Sequence, residues 1–281
     1  MIRTATPDDL PALRALFARA NDEPYDLAMV ADEKCFGPGV SGAPVVRIFG
    51  DDEGAVVTCG KYVRILVVGR ETRRRGIGSA LVADGEARGA RIIAAEPGNY
   101  FTPGISDEGA QAFVRARGYG EKASTWNLSA SLRVSESSSR RPDNRTTPAS
   151  PNVRRPSHAE ASRVLGFIER EFGRIWRFEA ARAFDTDLPQ IFITEDNAEV
   201  TGFAAHDVNN RGLGFFGPTG VASAMRGRGL GCQLLLASLA DLQRLGFDHA
   251  VIPWTDALAF YSKCSGAEPA HRFIAFEKPQ P

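Results

Sequence analysis

Apolar residues recur along this chain in two rhythms, a period near two and a period near 3.6, and the same succession of rhythms runs through the chain twice. Valine- and isoleucine-rich runs predict strands at 2–4, 45–49, 55–59 and 63–68. A helical period carries Leu10, Leu13 and Leu16 behind Thr6 as N-cap and Pro7 at the first helical position, where a missing N–H leaves nothing unsatisfied. After a glycine turn at 73–78 the helical period returns. An apolar run at 91–95 then predicts a strand, followed by another helix. The second half repeats this order. It has a strand at 153–155, a helix capped by Ser157 with Ala161, Val164, Leu165 and Ile168 inward, and strands at 190–194, 199–206 and 214–221. A glycine turn at 226–231, an amphipathic helix, a strand at 250–253 and a last helix follow.

Between the halves, 129–152 is rich in Ser, Pro and Arg and holds almost nothing to bury, so it reads as a linker. The expected organisation is a domain at 1–128, a linker at 129–152 and a domain at 153–281, of mixed α/β class.

Composition narrows the partners. With 43% hydrophobic and 24% charged residues the chain is ordinary for a soluble globular protein. Lys plus Arg and Asp plus Glu each number 34, and this balance disfavours nucleic acid as partner. No apolar run approaches the ~20 residues of a membrane span, and no apolar core follows a basic start as in a signal peptide. The four cysteines, Cys35, Cys59, Cys232 and Cys264, lack paired spacing, which suits free thiols in a reducing cytoplasm. The four histidines are scattered, and no metal site is expected.

The two glycine turns are the strongest chemical signal. Arg73-Arg-Arg-Gly76-Ile-Gly78 and Arg226-Gly-Arg-Gly229-Leu-Gly231 both fit R-x-x-G-x-G. Each lies between an apolar strand and an apolar-periodic helix, with a valine (Val68, Val221) five residues before the first arginine. Glycines let successive N–H groups converge, and a helix start adds partial positive charge, so the context describes an anion site that needs no metal. A Walker loop and a dinucleotide fingerprint are both excluded, because Gly-Lys-Ser/Thr is missing and Leu81 and Leu234 stand where the fingerprint needs a third glycine.

These motifs resemble the acyl-CoA diphosphate loop of the GNAT N-acetyltransferase superfamily, and the repeated βαβββαβα order is similar to its fold. The resemblance implies two tandem GNAT-like domains. Each would be a mostly antiparallel sheet flanked by helices, with the fourth and fifth strands splayed apart. It implies acetyl-CoA as co-substrate, held by Val221, Arg226, Gly227, Arg228, Gly229, Leu230 and Gly231. Arg73, Arg74, Gly76 and Gly78 are the corresponding residues of the first copy.

In the family a tyrosine within a pattern like F-Y-x-x-x-G-F often protonates the departing thiolate. The second half has Phe260-Tyr261-Ser-Lys-Cys-Ser-Gly266, with one extra residue before the glycine. The first half has Phe113-Val114-Arg-Ala-Arg-Gly118-Tyr119, where valine replaces the tyrosine. The resemblance therefore makes the second copy catalytic, with Tyr261 as acid and Tyr119 a packing residue. The first copy either binds CoA or braces its partner.

For the base, Asp256 lies at the rim beyond the predicted strand, with Asp207 and His206 as alternatives. Trp254 fills core or stacks on a sugar, and core filling is favoured. The segments 202–209, 216–221 and 98–105 resemble glucosamine/glucosaminide N-acetyltransferases, which implies a small-molecule amine as partner. Other acetyltransferases (of small amines, of the mycothiol-synthase or aminoglycoside type, or of proteins) and an acyl-CoA sensor without turnover remain alternatives.

Overall fold

The computed structural model describes residues 1–133 and 153–279. It divides into two compact units: Met1–Asn127 with the C-terminal stretch from His271, and Leu128–Ala270.

In the first unit β1 (Ile2–Thr4), β2 (Val45–Phe49), β3 (Gly54–Cys59) and β4 (Tyr62–Val68) pair antiparallel in chain order. A 3-10 turn at Pro7–Asp9 leads into α1 (Leu10–Ala20), whose Leu13 and Leu16 are buried as their spacing predicts. A short α2 (Ala31–Cys35) follows, and α3 (Ile77–Ala87) leaves the first glycine turn. The next strand, β5 (Ile92–Ile93), is shorter than the apolar run suggested. It pairs parallel with β4 only at Tyr62↔Ile92 and Val63↔Ile93. Ala94 and Ala95 then turn into left-handed backbone, at φ 62° and 60°, and this ends the pairing while β4 runs on to Val68. The two strands therefore part, and α4 (Glu108–Arg115) packs near the opening. The core between sheet and helices is built from Val56, Val63, Ile77, Leu81, Ile93, Ile105, Val114 and Phe276.

The second unit repeats the plan. It contains β7 (Val153–Arg154), α5 (Ala161–Phe172), α6 (Arg174–Ala181), β8 (Ile191–Asp196), β9 (Glu199–His206), β10 (Phe216–Val221), α7 (Leu230–Arg244), β11 (His249–Thr255) and α8 (Leu258–Ser265). Strands β7 to β10 are antiparallel neighbours. Between β10 and β11 a single parallel bridge, Phe215↔Val251, marks the fork. Its core gathers Val164, Phe167, Ile168, Ile191, Ile193 and Phe203.

The boundaries differ from the expected domains at two places. Residues 129–131 belong to β6 (Gly120–Ser131), and the rest of the expected linker, from residue 134, lies outside the described residues. The stretch from His271, expected in the second domain, groups with the first unit. There the end of β12 (Glu268–Glu277) pairs antiparallel with β5 through Phe276↔Ile93 and Glu277↔Ile92. Ile274 and Ile105 also exchange backbone hydrogen bonds. Without that strand β5 would have one unpaired edge.

Candidate functional site

The loop between β10 and α7 is built by three left-handed or stapled positions. Gly227 and Gly229 have φ of 79° and 78°, a region that costs most side chains about 1–2 kcal/mol. The Arg226 Nε donates to the Val221 carbonyl at 3.3 Å, and in the first unit the Arg73 Nε donates to Val68 at 3.2 Å. The valine five residues upstream is thus the strand end to which the arginine staples the loop. The amides of 227–231 make no hydrogen bond among the described residues. They open at the start of a 15-residue helix, where free N–H groups and the helix dipole favour a phosphate.

The first loop has the same path, with Gly76 at φ 85° and Arg74 at φ 64°. Its charge is already answered, however. The Arg73 Nη2 donates to Asp22 Oδ2 at 2.7 Å and to the Ala20 carbonyl, and Arg70 also meets Asp22.

The second glycine of each motif places the helix that follows the fork. A Cβ at Gly231 would lie 3.4 Å from the Phe260 ring and 3.8 Å from Val221, and one at Gly78 would lie 3.1 Å from the Phe113 ring and 3.6 Å from Val68. The matched contacts make Phe260 the counterpart of Phe113, and hence Tyr261 the counterpart of Val114. Tyr261 is 8% exposed, with its ring edge-on to Phe216 and Phe260. Its hydroxyl makes no hydrogen bond to any described residue. Burial pushes that hydroxyl up to about 12, so it carries its proton at neutral pH. Tyr119 differs, because its hydroxyl donates to Glu86 Oε1 at 2.9 Å.

The base candidates separate by environment. Asp256 is exposed just past β11, and Ala257 rather than Asp256 is the N-cap of α8. His206 is fully buried, with Nε2 2.7 Å from Asp241 Oδ2 and its ring stacked on Phe192. Burial, aided by Arg155 and Arg244, lowers it to about 3. It is a packed partner of Asp241, which also holds Arg155. Asp207 is 5% exposed and accepts the Gly212 N–H at 2.8 Å. This braces the turn into β10, and burial raises its carboxyl. Trp254 corrects the favoured reading of a core residue: it is 40% exposed, with φ 50°, at the rim of the fork.

The first unit contains groups that no motif announced. A cavity of about 100 Å³ lies where β4 leaves β5, lined by Val63, Ile65, Ile93, Phe101 and Val114 with Glu23 and Arg64. Arg64 and Glu96 form a fully buried ion pair at 2.5 Å, and the buried Lys34 donates to Glu33 and Asn99. Glu96 and Asn99 lie 32 and 65 positions from Arg64 and Lys34, too far for any local pattern to reveal.

Glu23 Oε2 accepts the Ser106 hydroxyl at 2.5 Å. Burial, followed by the charges of Asp107 and Asp22, raises Glu23 to about 7 against these hydrogen bonds. With the folded value above the unfolded one, its contribution to stability is complete below the unfolded pKa near 4.5 and is lost as pH rises through 7. Glu23→Gln is therefore expected to flatten the decline of the melting temperature between pH 5 and 8. A decline as steep as the wild type's refutes this.

Among the described residues no three His, Cys, Asp or Glu side chains converge as metal ligands, and no helix is long and apolar enough to cross a membrane.

Residues 159–266 match the model of the acetyltransferase (GNAT) family. No curated protein matches the sequence. Among solved structures the chain is similar to a fungal multi-domain β-N-acetylglucosaminidase with a glucosamine N-acetyltransferase region, at 18% identity and a TM-score of 0.75. The match covers 98% of this chain and 38% of that one. It is also similar to an N-acetyltransferase from Sphaerobacter thermophilus, at 18% identity and a TM-score of 0.67, covering 99% of this chain and 95% of that one. A tandem GNAT protein from the clavulanic acid biosynthesis pathway gives 18% and 0.67, with 100% and 99% covered. At these identities the likeness is one of fold.

Proposed function

We propose, from the match of residues 159–266 to the acetyltransferase (GNAT) family model, that the second unit moves the acetyl group of acetyl-CoA to the primary amine of a small polar molecule, with an amino sugar as favoured acceptor. The observation that carries this reading is the Tyr261 hydroxyl, protonated and without a partner among the described residues, on the helix that packs against the free-amide loop.

The amides of 227–231 hold the diphosphate, with Arg228 adding charge, while Arg226 keeps the loop on its strand. The opening between β10 and β11 receives the thioester arm. Tyr261 gives its proton to the departing thiolate. Asp256, exposed at the rim, takes the proton that the ammonium must lose before it attacks, directly or through water. The first unit has the loop but Val114 at the acid position, and serves as a non-catalytic partner.

The amino-sugar assignment draws on the resemblance of 202–209, 216–221 and 98–105, and on the glucosamine N-acetyltransferase region of the fungal structural relative. An exposed Trp254 beside Asp256 suits a pyranose face. The test is thiol release from acetyl-CoA with amino sugars, aminoglycosides, polyamines and peptides as acceptors. Turnover of a peptide or polyamine with silence from every sugar removes the sugar assignment. Silence from all of them removes the enzyme reading.

Asp256→Asn keeps size and removes basicity. Its rate is expected to fall chiefly near neutral pH and to recover in part under alkaline conditions, where free amine is abundant. A pH–rate profile identical to the wild type's takes the base role from Asp256.

A further inference from the structure

The reaction above uses none of the cysteines, yet two of them stand at its centre. Cys232 is in the first turn of α7, directly after the glycine loop, and Cys264 is three residues beyond Tyr261 on α8. Both are partly exposed, whereas Cys35 and Cys59 are buried. The Cys232 and Cys264 thiols lie within hydrogen-bonding reach of each other.

The first unit shows that this closeness belongs to the fold. Gly231 meets Phe260 as Gly78 meets Phe113. The position after each glycine and the position four after each phenylalanine then lie along the same helix–helix seam. In the first unit these are Ser79 and Arg117, and the Arg117 guanidinium donates to the Ser79 hydroxyl. The second unit places a thiol at both positions.

We propose that Cys232 and Cys264 are a redox-modifiable pair, which a hydroperoxide closes into a disulfide that ties the Tyr261 helix to the first turn of α7 and stops acetyl transfer.

The chemistry balances with hydrogen peroxide as oxidant. One thiolate attacks a peroxide oxygen and the O–O bond breaks. A sulfenic acid remains, and the other oxygen leaves as water after taking a proton. The second thiol attacks the sulfenic sulfur, the S–S bond forms and a second water departs. Two electrons pass from the thiols to the peroxide. Burial, with the Cys232 thiol beside it, pushes Cys264 up to about 12. Cys264 thus carries its proton at neutral pH.

A disulfide holds its sulfurs about 2.05 Å apart, well inside any thiol–thiol hydrogen bond. Closure therefore draws α8 toward α7, and Tyr261 sits one turn from the link. A displacement of about 1 Å in a positioned group is enough to cost about 10²-fold in rate.

The test treats the full chain with hydrogen peroxide, blocks residual thiols and maps peptides by mass. The expected product is a Cys232–Cys264 cross-linked peptide, with Cys35 and Cys59 still reduced. Acetyl transfer is expected to fall at least about tenfold and to return with dithiothreitol. Cys264→Ser and Cys232→Ser, the latter restoring the residue type of Ser79, are expected to keep the reduced protein's activity and to lose the peroxide response.

Oxidised protein without the cross-link overturns the proposal, and so does inactivation of both serine variants as fast as wild type. The activity readout rests on the acetyl transfer proposed above, but the mass readout does not. A chain that forms the cross-link and acetylates nothing refutes that function and keeps the pair.

Discussion

Tyr261→Phe is expected to lower turnover by about 10²–10⁴-fold, the usual worth of a positioned general acid, while CoA affinity stays near wild type. The phenyl ring remains edge-on to Phe216 and Phe260, so packing is retained. The lost hydroxyl has no partner among the described residues, so no internal group is left unsatisfied by its removal. Stability should therefore be nearly unchanged, and the effect should fall on kcat. Tyr119→Phe reverses that pattern. It removes one of the two donors to Glu86, leaving Lys278 Nζ at 2.9 Å, which costs at most about 1 kcal/mol of stability, and leaves turnover intact. Wild-type turnover in Tyr261→Phe, measured by thiol release at saturating acceptor, removes this residue from the mechanism.

The second large effect is expected at Gly229. A Cβ there meets no protein atom within 4 Å, so the protein interior does not forbid a side chain. What a side chain meets is the space above the loop, where the diphosphate must approach the amides. Each charge-assisted amide–phosphate bond is worth about 1.5–3 kcal/mol, so losing one lowers affinity by about ten- to a hundredfold. Gly229→Val adds backbone strain at φ 78°. Gly229→Asn tolerates that conformation and still intrudes, so the pair separates strain from obstruction. Calorimetric CoA affinity unchanged in both variants places the diphosphate elsewhere. The same exchange at Gly76 is expected to leave turnover unaffected, because the first loop's arginine is already engaged by Asp22 and its unit lacks the acid.

The sequence carried whatever depends on neighbours a few positions away. The strands at 2–4, 45–49 and 199–206 stand where alternation placed them. The first glycine of each motif, Gly76 and Gly229, takes left-handed backbone, while Gly78 and Gly231 are already helical, and the valine–arginine spacing of five is an actual hydrogen bond in each copy. The matched Gly–Phe contacts show why Phe260-Tyr261 and Phe113-Val114 are equivalent despite the different spacing to the glycine that follows.

What the sequence left open was decided by contacts between distant positions. His206, an alternative to Asp256 as base, is held in the interior by Asp241, 35 residues on. Of the two readings of Trp254, the sequence favours core filling over sugar stacking, but left-handed backbone at its own position accompanies a side chain exposed at the rim. The stretch from His271 follows the second half in the chain and pairs in the first unit, because β5 offers an edge there. The Arg64–Glu96 ion pair and the facing thiols of Cys232 and Cys264 are likewise products of packing. Periodicity and glycine spacing record local backbone preference, whereas burial, partner and protonation state depend on which surfaces meet, and only the tertiary structure supplies that.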